Sequence, residues 1–180
     1  MTASPEIRPQ LTVRSARDAD APALREIFNE AVEDGLTTFE TSPRSIEQQK
    51  LLILAGQLNP HYPVLVAEVR NWVCGYVAVE QYDERRGLDE IGEVAVFVRR
   101  SFRSYGVGRQ LMRVAQAEAA RLGYRKLIGR VLADNHDSLR LCQATSWRVV
   151  GVHEQHARHG DRLCDVTVVE YRVPPNTHAE

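Results

Sequence analysis

An apolar run that leads directly into a glycine-rich polar turn is the feature that most constrains how this chain can fold. The run is Val94–Val98, and the Arg-, Ser- and Gly-rich segment after it ends at Gly108. β-Branched and aromatic residues in such a run predict a buried strand, and the polar segment predicts a turn. Apolar residues then recur at helical spacing from Val107 to Leu122, and Gly123 is a typical helix stop. The sequence therefore predicts a strand, a loop and a helix in direct succession.

The predicted loop has the chemistry of a polyphosphate-binding site. Main-chain N–H groups are free at the start of a helix, and glycine lets a ligand approach the backbone closely. Guanidinium groups bind phosphate through paired N–H donors, and this region carries Arg99, Arg100, Arg103 and Arg109. The alternative is a tight turn with solvated arginines, because a Gly-x-Gly pattern is a weak signal by itself.

Composition limits the classes of protein to which the chain can belong. The 180 residues are within the size of one domain, so we expect a single domain over 1–180, with a core over about 11–172 and flexible ends at 1–9 and 174–180.

Charged residues make up 26% and the net charge is −1, so bulk charge favours neither a nucleic acid nor a membrane partner. No apolar run suits a signal peptide or a membrane span, and three cysteines without metal-like spacing fit a reducing compartment. We therefore predict a cytoplasmic protein.

The rest of the pattern alternates between strands and helices. Strands are predicted at 11–14, 64–69, 72–79, 94–98, 126–132, 148–153 and 163–171, and helices near 24–32, 45–58, 107–122 and 138–144. Ser45 and Gln48 have the spacing of a capping box, and Arg70-Asn71 is typical of a tight hairpin turn. This mixture predicts an α+β fold with a mixed, mostly antiparallel sheet flanked by helices.

The turn motif also resembles a known family. Arg103-x-x-Gly106-x-Gly108, between a Val-rich strand and an amphipathic helix, resembles the acyl-CoA pyrophosphate loop of the N-acetyltransferases of the GNAT superfamily. The further marks are Thr38-Phe39-x-Thr41-x-Pro43, Tyr62-Pro63-x-Leu65-Val66-Ala67-Glu68, Gly75-Tyr76, Glu93 and Asn135-x-x-Ser138-x-x-Leu141. Their order and spacing are most similar to the phosphinothricin and methionine sulfoximine acetyltransferases. The resemblance implies a fold in which two central strands splay apart to form an acetyl-CoA cleft, and it implies a homodimer.

The resemblance implies that acetyl-CoA is the co-substrate and that no metal takes part. Its pyrophosphate is expected on the loop, and its pantetheine arm along the preceding strand, whose main-chain N–H groups would also stabilise the oxyanion. The implied acetyl-CoA ligands are Val96, Phe97, Val98, Arg103, Ser104, Tyr105, Gly106, Val107, Gly108, Arg109, Asn135 and Ser138. Capping of the next helix is a second role for Asn135, and both roles can hold at once.

Two further residues are implicated in the chemistry. N-acetyl transfer needs a neutral amine, so a group must take a proton from the ammonium. The resemblance implies Glu93 as that general base, directly or through water, and a solvated carboxylate at a strand end is the alternative. Cys142 stands where relatives carry a Tyr or a His that is proposed to protonate the departing thiolate. A thiol can donate a proton, but on a short helix it is more often a packed apolar residue, so we expect solvent to protonate CoA.

The acceptor is predicted to be a small-molecule amine, an amino acid or an analogue such as methionine sulfoximine or phosphinothricin. The resemblance places a substrate-binding arginine at Arg85, which would hold the acceptor's carboxylate through a guanidinium fork, and Phe39 and Tyr82 would form an apolar wall. Three acidic residues of the same loop favour a cationic amine such as a polyamine instead: Asp83, Glu84 and Asp89. The same pattern is also compatible with a protein acetyltransferase or a non-catalytic acyl-CoA sensor, although Glu93 argues against the sensor.

Three histidines, His153, His156 and His159, superficially resemble a metal cluster. On a strand, a spacing of three sends alternate members to opposite faces. We therefore expect turn and rim residues here and no zinc site.

Overall fold

The computed structural model describes residues 11–35 and 37–175. The strands are β1 (Leu11–Ser15), β2 (Val64–Val69), β3 (Trp72–Gln81), β4 (Ile91–Val98), β5 (Lys126–Leu132), β6 (Arg148–His159) and β7 (Arg162–Arg172). The helices are α1 (Ala21–Asp34), α2 (Ile46–Leu58), α3 (Val107–Leu122) and α4 (His136–Ala144). The predictions of flexibility for 1–9 and 176–180 fall outside the described residues.

Two local predictions are confirmed in atomic detail. The Ser45 hydroxyl accepts the N–H of Gln48, and the Gln48 side chain accepts the N–H of Ser45, which is the reciprocal capping box that starts α2. Arg70 and Asn71 have φ angles of 50° and 65°. A two-residue hairpin turn needs this left-handed backbone, because it matches the twist of the two strands that it joins.

The seven strands form one sheet in the order β1-β2-β3-β4-β5-β7-β6. All neighbours are antiparallel except β4 and β5, which are parallel. Alternate residues of β3 serve the two faces: Tyr76 packs with Leu24 of α1, whereas Val77 packs with Leu111 of α3. The α+β prediction, with its mostly antiparallel sheet between helices, is confirmed.

The parallel contact between β4 and β5 is short. Only Ile91, Gly92 and Glu93 of β4 have partners on β5, although β4 continues to Val98. Beyond Glu93 the two strands diverge, as the resemblance implied. None of the helices within residues 11–35 and 37–175 combines the length and the hydropathy that crossing a bilayer requires.

The closing hairpin differs from the prediction. β6 extends to His159, and its ladder with β7 is interrupted between His153 and Ala157, where Gln155 has a φ of 50°. This bulge brings His153 and His156 to the same side, with ring centroids 4.6 Å apart, so the expectation of opposite faces was wrong for this pair. Within the part of the chain that the structure describes, no three His, Cys, Asp or Glu side chains are grouped to hold a metal ion.

A buried carboxylate joins the last three strands of the sheet. Glu170 of β7 is 3% exposed and pairs with Lys126 of β5 at 2.7 Å and with Arg148 of β6 at 2.5 Å. The hydrogen bond from Lys126, opposed by burial and helped by Arg148, holds the pKa of Glu170 below its usual value. Its stabilising effect is therefore complete above the pKa of an unfolded Glu and is lost as the pH falls through the lowered pKa.

We predict that Glu170→Gln lowers the free energy of unfolding at pH 7 by about 1–3 kcal/mol, because one of the two charge-assisted hydrogen bonds loses its acceptor and the other loses the negative charge of its acceptor. The difference from the wild type should shrink as the pH falls below about 4, the range in which unfolded Glu side chains take up protons. Urea unfolding between pH 3 and 8 measures both effects. Glu118→Gln is the matched control, since its pair with Arg121 is at the surface and should contribute under about 1 kcal/mol. Equal losses in the two variants would contradict the prediction.

Candidate active site

The gap between β4 and β5 is a cleft lined by backbone N–H groups. The Arg99 N–H donates to the Cys74 carbonyl of β3 at 2.9 Å. Successive N–H groups of a strand point to opposite sides, so those of Val98 and Val96 point away from β3, into the cleft. Here β4 can donate hydrogen bonds to a bound molecule in place of a neighbouring strand.

A groove of about 880 Å³ runs from this cleft to the start of α3. It is lined by the residues predicted to bind acetyl-CoA, with the exception of Val107. Val107 is 3% exposed and packs in the core with Leu111 and Ala115. The structure therefore brings the other predicted cofactor residues together around the groove, whereas the Val107 side chain is buried in the core.

The loop before α3 has the backbone shape of an anion site. Ser104 and Gly106 have φ angles of 67° and 85°, which is the left-handed region that glycine adopts most readily. The first turn of α3 closes with the Gln110 N–H on the Gly106 carbonyl at 3.0 Å. The N–H groups of the residues between have no earlier carbonyl of the helix to bind, so they are available to a ligand. A Cβ on Gly108 would lie 3.0 Å from Leu141 of α4, so the close packing of α4 against this position explains why the residue is a glycine.

The arginines of this region divide into two groups. Arg103 and Arg109 line the groove, and Arg103 also donates to the Val98 carbonyl at 3.2 Å. Arg99 and Arg100 instead pair with carboxylates of α1, Glu26 at 2.9 Å and Asp34 at 2.7 Å. Of the four arginines expected to supply positive charge at the loop, the structure therefore places Arg103 and Arg109 at the groove but not Arg99 and Arg100.

Asp34 is the anchor of this charged cluster. Arg103 pairs with it at 2.6 Å, and Arg100 approaches it from the other side. Burial would raise the pKa of Asp34, but the hydrogen bonds from Arg103 and Arg100 lower it below its usual value. The last turn of α1 thus fixes the arginine that begins the loop.

A second cavity, of about 250 Å³, lies on the other side of the cleft. It shares a set of wall residues with the groove: Thr37, Val96, Phe97, Asn135, Ser138 and Leu141. Phe97 forms an aromatic cluster with Phe28 and Tyr76, at centroid distances of 5.2 and 5.1 Å. Phe39 and Glu93 also line this cavity but not the groove. The two volumes therefore meet, and Glu93 belongs to the second.

Glu93 is held by a guanidinium that sequence reasoning missed. Both of its carboxylate oxygens accept hydrogen bonds from Arg130 of β5, at 2.6 and 2.7 Å. The last residue of β5 that pairs with β4 is Ile128, two positions before Arg130. The ion pair thus spans the strands just where they begin to diverge. Arg130 interrupts the largely apolar strand predicted at 126–132, and a charged residue at such a position could have been identified as a functional candidate from the sequence.

Glu80 and Arg44 also line the second cavity and were not predicted. Glu80 lies at the solvent-accessible end of β3, directly opposite Glu93 in the β3–β4 register. Arg44 pairs with Glu40, and its guanidinium carbon lies 4.1 Å from the centroid of the Phe28 ring. Arg44 is distant in sequence from Glu93, and Glu80 is on the preceding strand, so only the helix placement and the strand register reveal them.

Cys142 and Asn135 occupy the α4 side of the cleft. Cys142 is 7% exposed, and burial raises the pKa of its thiol to about 11. Proton transfer from such a thiol to an ordinary thiolate is uphill, which supports its interpretation as a packed residue. The Asn135 side chain accepts the Ser138 N–H at 3.0 Å and also lines the groove, so it caps α4 and remains available beside the cleft.

Tyr82 and Arg85 line neither volume within the described residues. The Arg85 side chain is 80% exposed and binds Asp83 through two hydrogen bonds of 2.7 and 2.6 Å. This pair lowers the pKa of Asp83 to about 2. The structure does not bring Arg85 together with Glu93.

Relatives of known sequence match nearly the whole chain. A methionine sulfoximine/methionine sulfone acetyltransferase of Salmonella typhimurium is 27% identical over 91% of this chain and 95% of its own length. An L-amino acid N-acyltransferase of Escherichia coli is 26% identical over 94% and 98%. A phosphinothricin N-acetyltransferase of Streptomyces viridochromogenes is 28% identical over 82% and 79%.

Solved structures share the fold. A Salmonella typhimurium protein that was solved with acetyl-CoA as its cofactor has a TM-score of 0.86 at 27% identity, over 94% of this chain and 96% of its own. A phosphinothricin acetyltransferase of Sinorhizobium meliloti, also in complex with acetyl-CoA, has a TM-score of 0.84 at 23% identity, over 94% and 92%. The sequence profile of the acetyltransferase (GNAT) family matches residues 22–145, well over half of the chain. The chain belongs to that family.

Proposed function

We propose that this chain transfers the acetyl group of acetyl-CoA to the amino group of a small molecule, an amino acid or an analogue of the methionine sulfoximine or phosphinothricin type. One observation carries the proposal: the groove and the second cavity meet beside Val96, Phe97 and Ser138. A thioester can enter from one side and an amine from the other. The activities named for the relatives from Salmonella typhimurium and Streptomyces viridochromogenes support the same substrate class.

The geometry suggests how acetyl-CoA would bind. Its pyrophosphate would lie on the N–H groups of Ser104–Arg109 at the start of α3, beside Arg103. Its pantetheine arm would follow the free edge of β4 and pass Asn135 and Ser138. The N–H groups of Val96 and Val98, which point into the cleft, would hold the pantetheine amides and the oxyanion of the tetrahedral intermediate.

The reaction removes two protons from the acceptor ammonium and supplies one proton to the CoA thiolate. The acceptor ammonium loses a proton toward Glu93, directly or through water, and the neutral nitrogen attacks the thioester carbonyl carbon. A C–N bond forms, the nitrogen of the tetrahedral intermediate gives up a further proton to solvent, the C–S bond breaks, and the CoA thiolate takes a proton from solvent. Cys142 packs against the cleft without titrating.

The acceptor would sit in the second cavity, with Phe39 as part of its apolar wall. Tyr82 and Arg85, on the loop between β3 and β4, remain our proposed contacts for the part of the acceptor that extends beyond the cavity. Arg85 would exchange Asp83 for the acceptor's carboxylate, which a guanidinium fork binds in the same bidentate way.

A screen of amines for release of free CoA tests the proposed function. Methionine sulfoximine and phosphinothricin should be acetylated, whereas spermidine and the decarboxylated counterpart of methionine sulfoximine should react at least tenfold more slowly. Preference for the two amines that lack a carboxylate would replace the amino-acid assignment with a polyamine-type acceptor.

We further propose a cytoplasmic homodimer. The three cysteines are buried and unpaired, as a reducing compartment allows. β6 lies at the edge of the sheet and exposes Val149, Val150 and Val152 by 57%, 51% and 53%. An open edge with apolar side chains favours pairing with a second copy of the chain.

Light scattering tests the dimer. The wild type is expected at twice the chain mass of 20.3 kDa, and Val150→Asp should shift it toward the monomer because a charge would be buried in the contact. Leu58→Asp, at an exposed site on α2 far from this edge in sequence, should keep the wild-type mass. A monomeric wild type would contradict the proposal.

For the anion site, we predict that Gly106→Val weakens acetyl-CoA binding at least tenfold, because a β-branched residue resists the left-handed backbone that shapes the loop. Calorimetry on folded protein measures the affinity. Gly87→Val is the control: a Cβ there meets nothing within 4 Å, its φ is not in the left-handed region, and it lies outside the groove. Equal affinity in the two variants would remove the pyrophosphate assignment.

For the chemical step, we predict that Glu93→Gln lowers kcat by about 10²–10⁴ at pH 7.5 with little change in acetyl-CoA affinity. Cys142→Ala should lower the stability of the fold modestly and keep kcat within a few-fold, because solvent protonates the CoA thiolate. Steady-state kinetics and calorimetry on both variants check this. Full activity of Glu93→Gln would make Glu93 structural, and a hundredfold loss in folded Cys142→Ala would make the thiol a general acid.

A further inference from the structure

The second cavity contains two carboxylates that face each other across neighbouring strands. Glu80 of β3 and Glu93 of β4 are direct partners in the antiparallel register, and both line the cavity. Side chains at such positions share one face, with Cβ atoms about 5 Å apart, and two like charges there repel. A cation between them would remove the repulsion.

The two carboxylates differ in their partners. Both oxygens of Glu93 already accept guanidinium hydrogen bonds from Arg130. Glu80 has neither a hydrogen bond nor an ion pair to any side chain among residues 11–35 and 37–175. The other guanidinium of the cavity, Arg44, is held by Glu40 and by the face of Phe28. Glu80 is thus the carboxylate of this cavity that is left for a ligand.

The net charge of the cavity also supports a role for Glu80 in binding a cation. Three carboxylates line it, Glu40, Glu80 and Glu93, against two guanidinium groups, Arg44 and Arg130. Two ion pairs form, and one negative charge remains unbalanced at Glu80. An acceptor enters as an ammonium, which supplies one positive charge and up to three N–H donors.

We propose that Glu80 is a second catalytic residue, which binds the acceptor's ammonium opposite Glu93 and holds the proton that the amine loses. The inference rests on the proposed N-acetyl transfer. The proton that Glu93 draws from nitrogen comes to rest on Glu80, whose carboxylate becomes a neutral acid, while Glu93 keeps its hydrogen bonds from Arg130. The neutral nitrogen then attacks the thioester carbon, gives up its further proton to solvent, and CoA leaves as the thiolate. Glu80 returns the proton to solvent when the product departs.

The electrostatics around Glu80 suit this role. Glu80 is solvent-accessible at the strand end, but partial desolvation against the cavity wall raises its pKa above the usual Glu value; Glu93 and Glu40 add to the increase, whereas Arg44 and Arg130 oppose it. A base works best when its pKa approaches the working pH. Two neighbouring carboxylates in different surroundings commonly divide their tasks, one staying charged and one exchanging the proton.

The test measures kcat/KM between pH 6.5 and 9.5 with an acceptor that the wild type acetylates in the amine screen. Glu80→Gln should lose about 10²-fold at pH 7, and the loss should shrink to a few-fold at pH 9.5, where more of the amine is neutral in solution. Glu80→Asp should retain more activity than Glu80→Gln at pH 7. Glu84→Gln, which removes a carboxylate of the adjacent loop outside both volumes, should keep the wild-type profile, and acetyl-CoA affinity by calorimetry should be equal in all four proteins.

Two results would overturn the inference while leaving the proposed function intact. One is a wild-type rate and pH profile in Glu80→Gln. The other is a loss in Glu80→Gln that is the same at every pH, which would make Glu80 a structural residue. A wild type that acetylates no amine in the screen contradicts the proposed function itself, and the role of Glu80 falls with it.

Discussion

The candidate site exists because β4 diverges from β5 after a short paired stretch. Three residues of β4, Ile91, Gly92 and Glu93, have partners on β5, and the rest of the strand presents an edge inside the molecule. Unpaired backbone groups in the interior are costly unless something else binds them. A linear ligand with amide groups can take the place of the missing strand, and the same divergence leaves room at its far end for a second molecule. Both the groove and the second cavity follow from this one departure from regular pairing.

The sequence predicted the elements best where burial is one-sided or complete. The bounds of α3 and β5 agree with the prediction, because an apolar stripe and an apolar run leave little choice of period. β4 starts at Ile91, three residues before its predicted start, because the ladder with β3 continues through a Gly and a Glu that interrupt the apolar run. β6 is twice as long as predicted, since an edge strand exposed on both faces carries no hydrophobic signal.

The two halves of the site were predictable to different degrees. The groove is built largely from one continuous segment, 96–109, so a motif can identify it. The second cavity combines Glu80, Arg130 and Arg44 from three separate segments, and their proximity is decided by strand register and by the packing of α2. The resemblance placed Arg85 near the acceptor, but a carboxylate two residues away, Asp83, occupies its guanidinium. Local ion pairs of this kind have no periodic signal in a sequence.

Arg103 has a consequence for the thermodynamics of cofactor binding. Its guanidinium is fixed between the Asp34 carboxylate and the Val98 carbonyl, so the first residue of the loop is already ordered in the protein without ligand. The conformational entropy of that long side chain is lost during folding and not again on binding. Acetyl-CoA would therefore meet a rigid, partly neutralised arginine. Its association should be dominated by enthalpy from backbone N–H donors, with a weaker dependence on ionic strength than four free arginines would give.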